Sequence, residues 1–503
     1  MSGWSRRAAI GALLTTAATV MGGWTSHEAL ARVSGSMAGK SRPNVLFILI
    51  DDMGYADLSL TGNRKVSTPN IDRLAGEGLL MTQFYDAAPI CSPSRAGFFT
   101  GQFPARNRFV TYVDTYAHNA RTGQANWLDP ALPNLARSLR QAGYATGHFG
   151  KWHMGGGRDI GDAPLITEYG FDESYTQFEG LGPRVLPDNV DPGLRRLIEQ
   201  SVALGRGPID FLHRGDITAR YVDKALDFIT RHRAGPWFVQ LWPDDVHAPW
   251  VPDEEQLAVV KGKGRDGNED NFFGALVALD HEIGRLVAAL RAMGELDDTL
   301  IILTSDNGPN SVQRYYANGG QPPGSAGIFR GRKDSLYEGG IRQPLIVRWP
   351  GHVPAGVRDD TTIGHGVDLF PTLAAITGAK PPARTDGMDL WRSWRGRPMA
   401  RRGDLFWTYG AYGPYDEWPR PTLPIDNSPS FAIRSGRWKL LSDGRGSGAE
   451  LYNVLADPSE ANNVAAANPA IVRDLAARLV AWQKSLPLRP SYAKPVRGAR
   501  SAE

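Results

Sequence analysis

Apolar positions fall in blocks along this chain. "NVLFILI" (44–50) is an unbroken apolar run that stops at Asp51-Asp52. That is the pattern of a strand buried on both faces of a parallel sheet. "PWFVQLWPDD" (236–245), "DDTLIILTSDNG" (297–308) and "IRQPLIVRWPG" (341–351) repeat it. Between these runs the apolar spacing becomes helical. "TPNIDRLAGEGL" (68–79) has Thr68 placed as N-cap and Pro69 at the first helical position. "LPNLARSLRQAGYATGHFGKWH" (132–153) reads as a helix and then a strand, with Gly143 at the helix C-cap. Long amphipathic helices are predicted over 216–233 and 268–294, and a shorter one over 367–378.

Alternating buried strands and helices predict an α/β fold, a mainly parallel sheet with helices on both faces. Ligands of such sheets bind beyond the carboxyl ends of the strands. After about residue 380 the pattern changes. "PPARTDG" (381–387) reads as a connector, "FAIRSGRWKLL" (431–441) as a hairpin and "ELYNV" (450–454) as a short strand. "PAIVRDLAARLVAWQKSL" (469–486) closes the chain with a helix. The expected organisation is a main domain over 43–380 and a smaller α+β subdomain over 381–490. Residues 181–214 and 309–331 read as long loops that shape a pocket.

Composition adds exclusions. Of 503 residues, 42% are hydrophobic and 22% charged, enough apolar material for a large core. Net charge is +3 from 56 basic and 53 acidic residues, without basic clusters, which gives no case for nucleic acid or stable membrane association. Residues 1–31 read as a signal peptide. Arg6-Arg7 precedes the apolar run 8–23, and Ala29-Leu30-Ala31 is a cleavage site. The arginine pair points to twin-arginine export and to a bacterial periplasmic or secreted protein.

One cysteine, Cys91, excludes an internal disulfide. Its setting is "PICSPSRAGFFTG" (89–101). Ser92 suits an N-cap, Pro93 the first helical position and Gly101 a C-cap. Cys91 then sits at a helix start that favours anions, with Arg95 one turn on. Asp51-Asp52 and "TSDNG" (304–308), with Asp306 and Asn307, place hard oxygen donors at two strand ends. Such donors suit Ca²⁺ or Mg²⁺ rather than zinc. Lys151, His153, His247 and Lys333 lie in short polar segments after strands or in a glycine-flanked loop. With one divalent cation, the three aspartates and the cations Arg95, Lys151 and Lys333 leave two net positive charges. That is a site for a dianion or a compact anionic ester.

"CSPSRAGFFTG" matches the sulfatase pattern C-x-P-S-R-x-x-x-[LF]-T-G at every fixed position. With "DDMG", "GKWH", "DDVHAP", "SDNG" and "KDSLYEGG" in the family's order, the chain from about 43 to 485 resembles type I sulfatases. The resemblance implies an alkaline-phosphatase-like fold and hydrolysis of a sulfate ester. It implies that a maturation enzyme oxidises Cys91 to Cα-formylglycine, whose hydrated aldehyde attacks sulfur. It implies one Ca²⁺ ion held by Asp51, Asp52, Asp306, Asn307 and the modified Cys91. Arg95 would hold the hydrated side chain, Lys151 and Lys333 the sulfate oxygens. Lys333 and His247 would serve the leaving oxygen, and His153 the elimination step. Segment 324–356 is similar to N-acetylgalactosamine-6-sulfatases and bacterial arylsulfatases, which implies a sulfated carbohydrate or aryl sulfate. Trp242, Trp250, Arg314, Tyr315 and Tyr316 are candidates for a sugar subsite. A formylglycine-dependent phosphonate or phosphate ester hydrolase and a non-catalytic glycan-binding protein are the alternatives.

Overall fold

The computed structural model describes residues 42–490 apart from 178, 189–191, 313–320, 411–417 and 444–447. The leader 1–31 and the subsite candidates Arg314, Tyr315 and Tyr316 lie outside the described residues. Among the described residues no helix is long and apolar enough to cross a membrane.

The fold is organised by one large sheet. In chain order its strands are β1 (Asn44–Ile50), β2 (Leu79–Tyr85), β3 (Ala145–Gly150) and β4 (Glu173–Tyr175), with β5 (Arg184–Pro187) and β6 (Ile209–Leu212) forming a separate pair. β7 (Trp237–Trp242), β8 (Thr299–Ser305), β9 (Arg342–Arg348), β10 (Val357–Asp359) and β11 (Gly364–His365) complete it. The order is β10-β2-β9-β8-β1-β7-β3-β4, with β11 also on β2. The apolar runs occupy the centre, as continuous burial requires. β1 pairs in parallel with β7 and β8, and β3 with β7 and β4.

Each face of β1 feeds a different core. Val45, Phe47 and Leu49 pack with Phe98 and Phe99 of the helix Cys91–Thr100 and with the helices Leu135–Gln141 and Leu369–Thr377. Leu46, Ile48 and Ile50 pack with the helices Pro69–Gly76, Ile217–His232 and Gly267–Ala292. The period-two alternation of a strand sends consecutive residues to opposite faces, so an all-apolar strand needs helices on both.

Two differences from the sequence reading matter. β9 runs antiparallel to both β2 and β8. An apolar run carries no direction, so the pattern could not show this. The reversal brings the start of β9, with the preceding segment 331–341, to the edge where β1, β7 and β8 end. Residues 181–214 are not one long loop. They contain β5, the helix Pro192–Leu204 and β6.

The C-terminal region is an antiparallel sheet, β12 (Leu405–Thr408), β13 (Phe431–Ser435), β14 (Trp438–Ser442) and β15 (Glu450–Asn453), with the helix Pro469–Lys484 against it. The hairpin turns at Gly436-Arg437, where Gly436 takes φ 56°. Trp407, Ile433, Leu440 and Trp482 share a core with Tyr85 of β2, with Ile90 before the next helix, and with Tyr337 and Ile341 before β9.

Gly308 shows how closely the segments after β8 and before β9 approach. A Cβ there would lie 2.0 Å from the Gly339 carbonyl oxygen. Gly308→Ala is therefore expected to cost about 1–3 kcal/mol in chemical denaturation and to lower activity by moving Asn307. A denaturation midpoint equal to wild type would refute this packing.

Candidate functional site

Apart from Trp242 and Trp250, every sequence-predicted site residue within the described chain lies at one edge of the main sheet. Asp51 and Asp52 follow β1, Lys151 and His153 follow β3, His247 lies in the turn after β7, and Asp306 and Asn307 follow β8. Cys91 opens the helix after β2, and Lys333 precedes reversed β9. Asp51, Asp52, Cys91, Arg95, Lys151, Asp306, Asn307 and Lys333 are all buried. Asp52 and His153, with Asp334 beside Lys333, take positive φ of 59°, 53° and 69°. Non-glycine residues stay in that region only where their surroundings hold them.

The helix starts two residues earlier than the sequence reading places it. Cys91 is the first helical residue, Ile90 is the N-cap, and Ser92 lies inside the first turn. The Ser92 hydroxyl accepts from the Val113 amide at 3.0 Å rather than capping the helix. Gly101 closes the helix in the left-handed conformation, as expected.

Charge pairing holds the centre together. Lys151 Nζ is 2.6 Å from Asp51 Oδ2, and Lys333 Nζ is 2.7 and 2.8 Å from the two Asp52 oxygens. Both ammonium groups also border Cys91 Sγ, at 3.6 and 3.4 Å. Arg95 donates Nε to Asp306 Oδ2 at 2.8 Å and Nη1 to the Lys151 carbonyl at 2.8 Å, and its Nη2 lies 2.7 Å from the same Asp306 oxygen as an ion pair. Its guanidinium lies over Trp242, 5.2 Å from the ring centroid. Burial opposes ionisation of Asp51, but Lys151 and Arg95 hold its carboxyl well below the usual range. Burial and the neighbouring Asp51 push the Cys91 thiol well above its ordinary value. An unmodified thiol here is a poor nucleophile.

Two histidines present opposite ring nitrogens. His247 Nδ1 lies 2.6 Å from the Ala248 carbonyl, which can only accept, so Nδ1 carries the proton. Its Nε2 faces Asp52 Oδ2 at 3.7 Å. Burial, with Lys151 and Lys333, lowers its pKa to about 4, so the ring is neutral near pH 7. His153 places Nε2 2.9 Å from Glu179 Oε2, and burial again lowers its pKa.

The donor set fits a hard cation. Single atoms of Asp51, Asp52, Cys91 and His247 lie within 4.8 Å of one another. Asn307 Oδ1 is buried without a hydrogen-bond partner, while its Nδ2 donates to Asp52 Oδ1 at 2.8 Å. An unpartnered buried amide oxygen beside two carboxylates is what an oxygen-coordinated cation would satisfy. Asp306 is turned to Arg95, and its Oδ1 accepts from the Asp52 amide at 3.2 Å. Burial, with Asp51 and Asp52 close by, raises its carboxyl to about 7, a shift a cation among these groups would reverse.

A cavity of about 260 Å³ opens over Cys91. Its walls include residues the sequence reading passed over: Tyr112, Asp114, Arg158, Glu179, Arg214 and Asp244. None carries a local pattern; each is recruited by a distant segment. Arg214 donates to the carbonyls of Asp244, His247 and Pro249, and so braces the turn that holds His247. Two expected subsite residues lie elsewhere. Trp242 is fully buried against Phe47 and His148, and Trp250 packs on Phe272 and donates to the Val246 carbonyl. Their large apolar rings are core, the usual place for them.

The family model "Sulfatase" matches residues 43–379, well over half of the chain. The chain belongs to the sulfatase family. A model described as N-sulphoglucosamine sulphohydrolase, C-terminal, matches residues 324–485. Arylsulfatase A of Bos taurus is 33% identical over 468 residues, covering 90% of this chain and 84% of that protein. The N-acetylgalactosamine-6-O-sulfatase of Bacteroides thetaiotaomicron is 30% identical over 505 residues, covering 86% and 92%. Among solved structures, Ps i-CgsB in complex with k-i-k-neocarrahexaose superposes with TM-score 0.73 at 26% identity, covering 90% of this chain and 95% of that one. The sheet with helices on both faces is the alkaline-phosphatase-like fold of these sulfatases, and the chain is a sulfuric ester hydrolase.

The raised thiol sets an expectation for sulfatase in which Cys91 is unconverted. Iodoacetamide at pH 8 should alkylate it at least about tenfold more slowly than free cysteine. Mass spectrometry of the tryptic peptide Leu74–Arg95 measures this. Labelling at the free-cysteine rate would contradict the buried, carboxylate-flanked position.

Proposed function

We propose that this sulfatase releases inorganic sulfate from a sulfated carbohydrate, with small aryl sulfates as surrogate substrates, and that Cys91 acts after conversion to formylglycine. The observation that carries the reading is the pair of ammonium groups, Lys151 and Lys333, at 3.6 and 3.4 Å from Cys91 Sγ above paired aspartates. Two buried cations meeting at one side chain suit the oxygens of a bound sulfate.

In this reading Lys151 and Lys333 bind the sulfate oxygens, and Arg95 offsets charge beside residue 91. Formylglycine at that position supplies a hydrated aldehyde as nucleophile. Asp51, Asp52, Asp306, Asn307 and residue 91 would hold one Ca²⁺ ion, which supplies fixed positive charge. Lys333 and His247 serve the leaving oxygen. His247 has its only proton on Nδ1, directed at Ala248, so Nε2 must gain a proton before it can donate. The negative charge that develops on the leaving oxygen of a bound sulfate ester favours that protonation. His153 accepts a proton during release. Residues 43–380 form the catalytic part and 381–490 an appended subdomain. Residues 1–31 direct export to the periplasm or beyond, and a formylglycine-generating enzyme is the maturation partner. The sulfated glycans handled by relatives support a glycan substrate here.

The test begins with protein co-expressed with a maturation enzyme. The peptide Leu74–Arg95 should show the formylglycine mass and react with an aldehyde probe. Turnover of an aryl sulfate should exceed that of the matching phosphodiester, and Cys91→Ala should abolish it. Preferred turnover of the phosphodiester would favour the phosphonate or phosphate hydrolase reading.

Calcium has its own check. Chelation should lower the melting temperature, and added Ca²⁺ at about 100 times its Kd should restore about 2.7 kcal/mol. Asp52→Asn should largely remove that response. A melting temperature indifferent to Ca²⁺ would remove the ion from this site.

A further inference from the structure

We propose that Glu179 is a positioning residue that fixes the tautomer of His153 and so makes its Nδ1 the proton acceptor of the sulfatase site. The inference rests on the reading of His153 as a participant in release.

Glu179 grips His153 twice. Its carbonyl oxygen accepts the His153 amide at 3.0 Å, and its Oε2 lies 2.9 Å from Nε2. The first contact helps hold the unfavourable φ of 53°. The second decides the chemistry. An ionised carboxylate only accepts, so Nε2 carries the proton. The Nε2 approach to Glu179 is a close ion-pair contact rather than an aligned hydrogen bond, and Nδ1, the other ring nitrogen, is buried with neither an ion-pair nor a hydrogen-bond partner. Its lone pair belongs to a ring that lines the cavity together with Cys91 and Lys151.

Glu179 is itself held. Arg158 Nη2 lies 3.2 Å from Oε1, and Arg158 Nε lies 3.1 Å from Asp114 Oδ1. Burial opposes ionisation of Glu179, yet its neighbours keep the carboxyl well below the usual range. Half-buried Asp114 and Arg158 thus lead to buried Glu179 and His153 in one relay of partners. A carboxylate that orients an imidazole and steadies its protonated form is the arrangement of hydrolase triads. His247 shows the contrast. Its Nδ1 proton is directed to a backbone carbonyl, with no carboxylate behind it.

Glu179→Gln keeps the shape, removes the charge and allows an amide N–H to donate to Nε2. The first readout needs no turnover: ¹⁵N NMR of histidine-labelled, full-length protein with Cys91 unconverted, with His153→Gln identifying the signals. Wild type should show His153 protonated on Nε2. Glu179→Gln should introduce the Nδ1-protonated form. In converted enzyme, kcat on an aryl sulfate should fall about 10²-fold with little change in KM, and Glu179→Asp should recover part of the loss. Arg158→Gln removes one contact to Glu179 but keeps its carboxylate and both of its contacts to His153, and should therefore keep the wild-type tautomer, which separates orientation from packing if Glu179→Gln folds poorly. An unchanged His153 tautomer in Glu179→Gln, or an equal effect from Arg158→Gln, would overturn the proposal. Absence of wild-type sulfate release would count against the proposed function instead, because the tautomer readout stands without it.

Discussion

Asp51, Asp52 and Asp306 are buried at the ends of two neighbouring strands, and the surrounding structure is arranged to make that tolerable. A buried ion costs several kcal/mol unless it is paired and hydrogen-bonded. Lys151 arrives from β3, Arg95 from the helix after β2 and Lys333 from the segment before β9. Each cation comes from a different strand connection, so the cluster forms only when the sheet order is complete. Positive φ at Asp52 and His153 shows backbone held against its preference at the same place.

This charge arrangement also bears on the chemistry of residue 91. The thiol is pressed toward its neutral form by burial and Asp51, while two ammonium groups stand beside it ready for an anion. A sulfatase in which the thiol itself attacked would need the opposite bias. Conversion of the side chain to another nucleophile removes the conflict. The unpartnered Asn307 oxygen beside Asp52 fits the same picture, since a cation there would meet an open ligand.

The C-terminal sheet takes part in placing Lys333. The Tyr409 hydroxyl donates to Asp334 Oδ1 at 2.7 Å, next to Lys333 in sequence. Lys439 of β14 lies 3.0 Å from Glu338 and 2.9 Å from Glu460, all three fully buried. Burial raises Glu460 to about 7, whereas Lys439 and Arg342 outweigh burial at Glu338 and hold it at about 2. One lysine between two carboxylates ties the segment before β9 to the antiparallel sheet. The match of the C-terminal family model from residue 324 onward covers this whole region, Lys333 included.

The linear chain determined what local chemistry can encode. Continuous apolar runs specified doubly buried strands, and Pro69, Gly101 and the Gly436 turn specified where helices and a hairpin begin or end. The spacing within "CSPSRAGFFTG" placed a cysteine at a helix start with an arginine one turn on. Only the tertiary structure decided how these pieces meet. An apolar strand reads the same in either direction, so the reversal of β9, and with it the delivery of Lys333, was invisible. Residues 181–214 were read as loop because short strands and a modest helix leave little periodic signal. Trp242 and Trp250 stay no more than subsite candidates in the sequence, because adjacency to a motif says nothing about which side of the sheet a ring faces. Glu179 and Arg158 carry no local pattern. Their partners, His153 and Asp114, are brought to them by contacts between separate loops, and such pairings exist only in three dimensions.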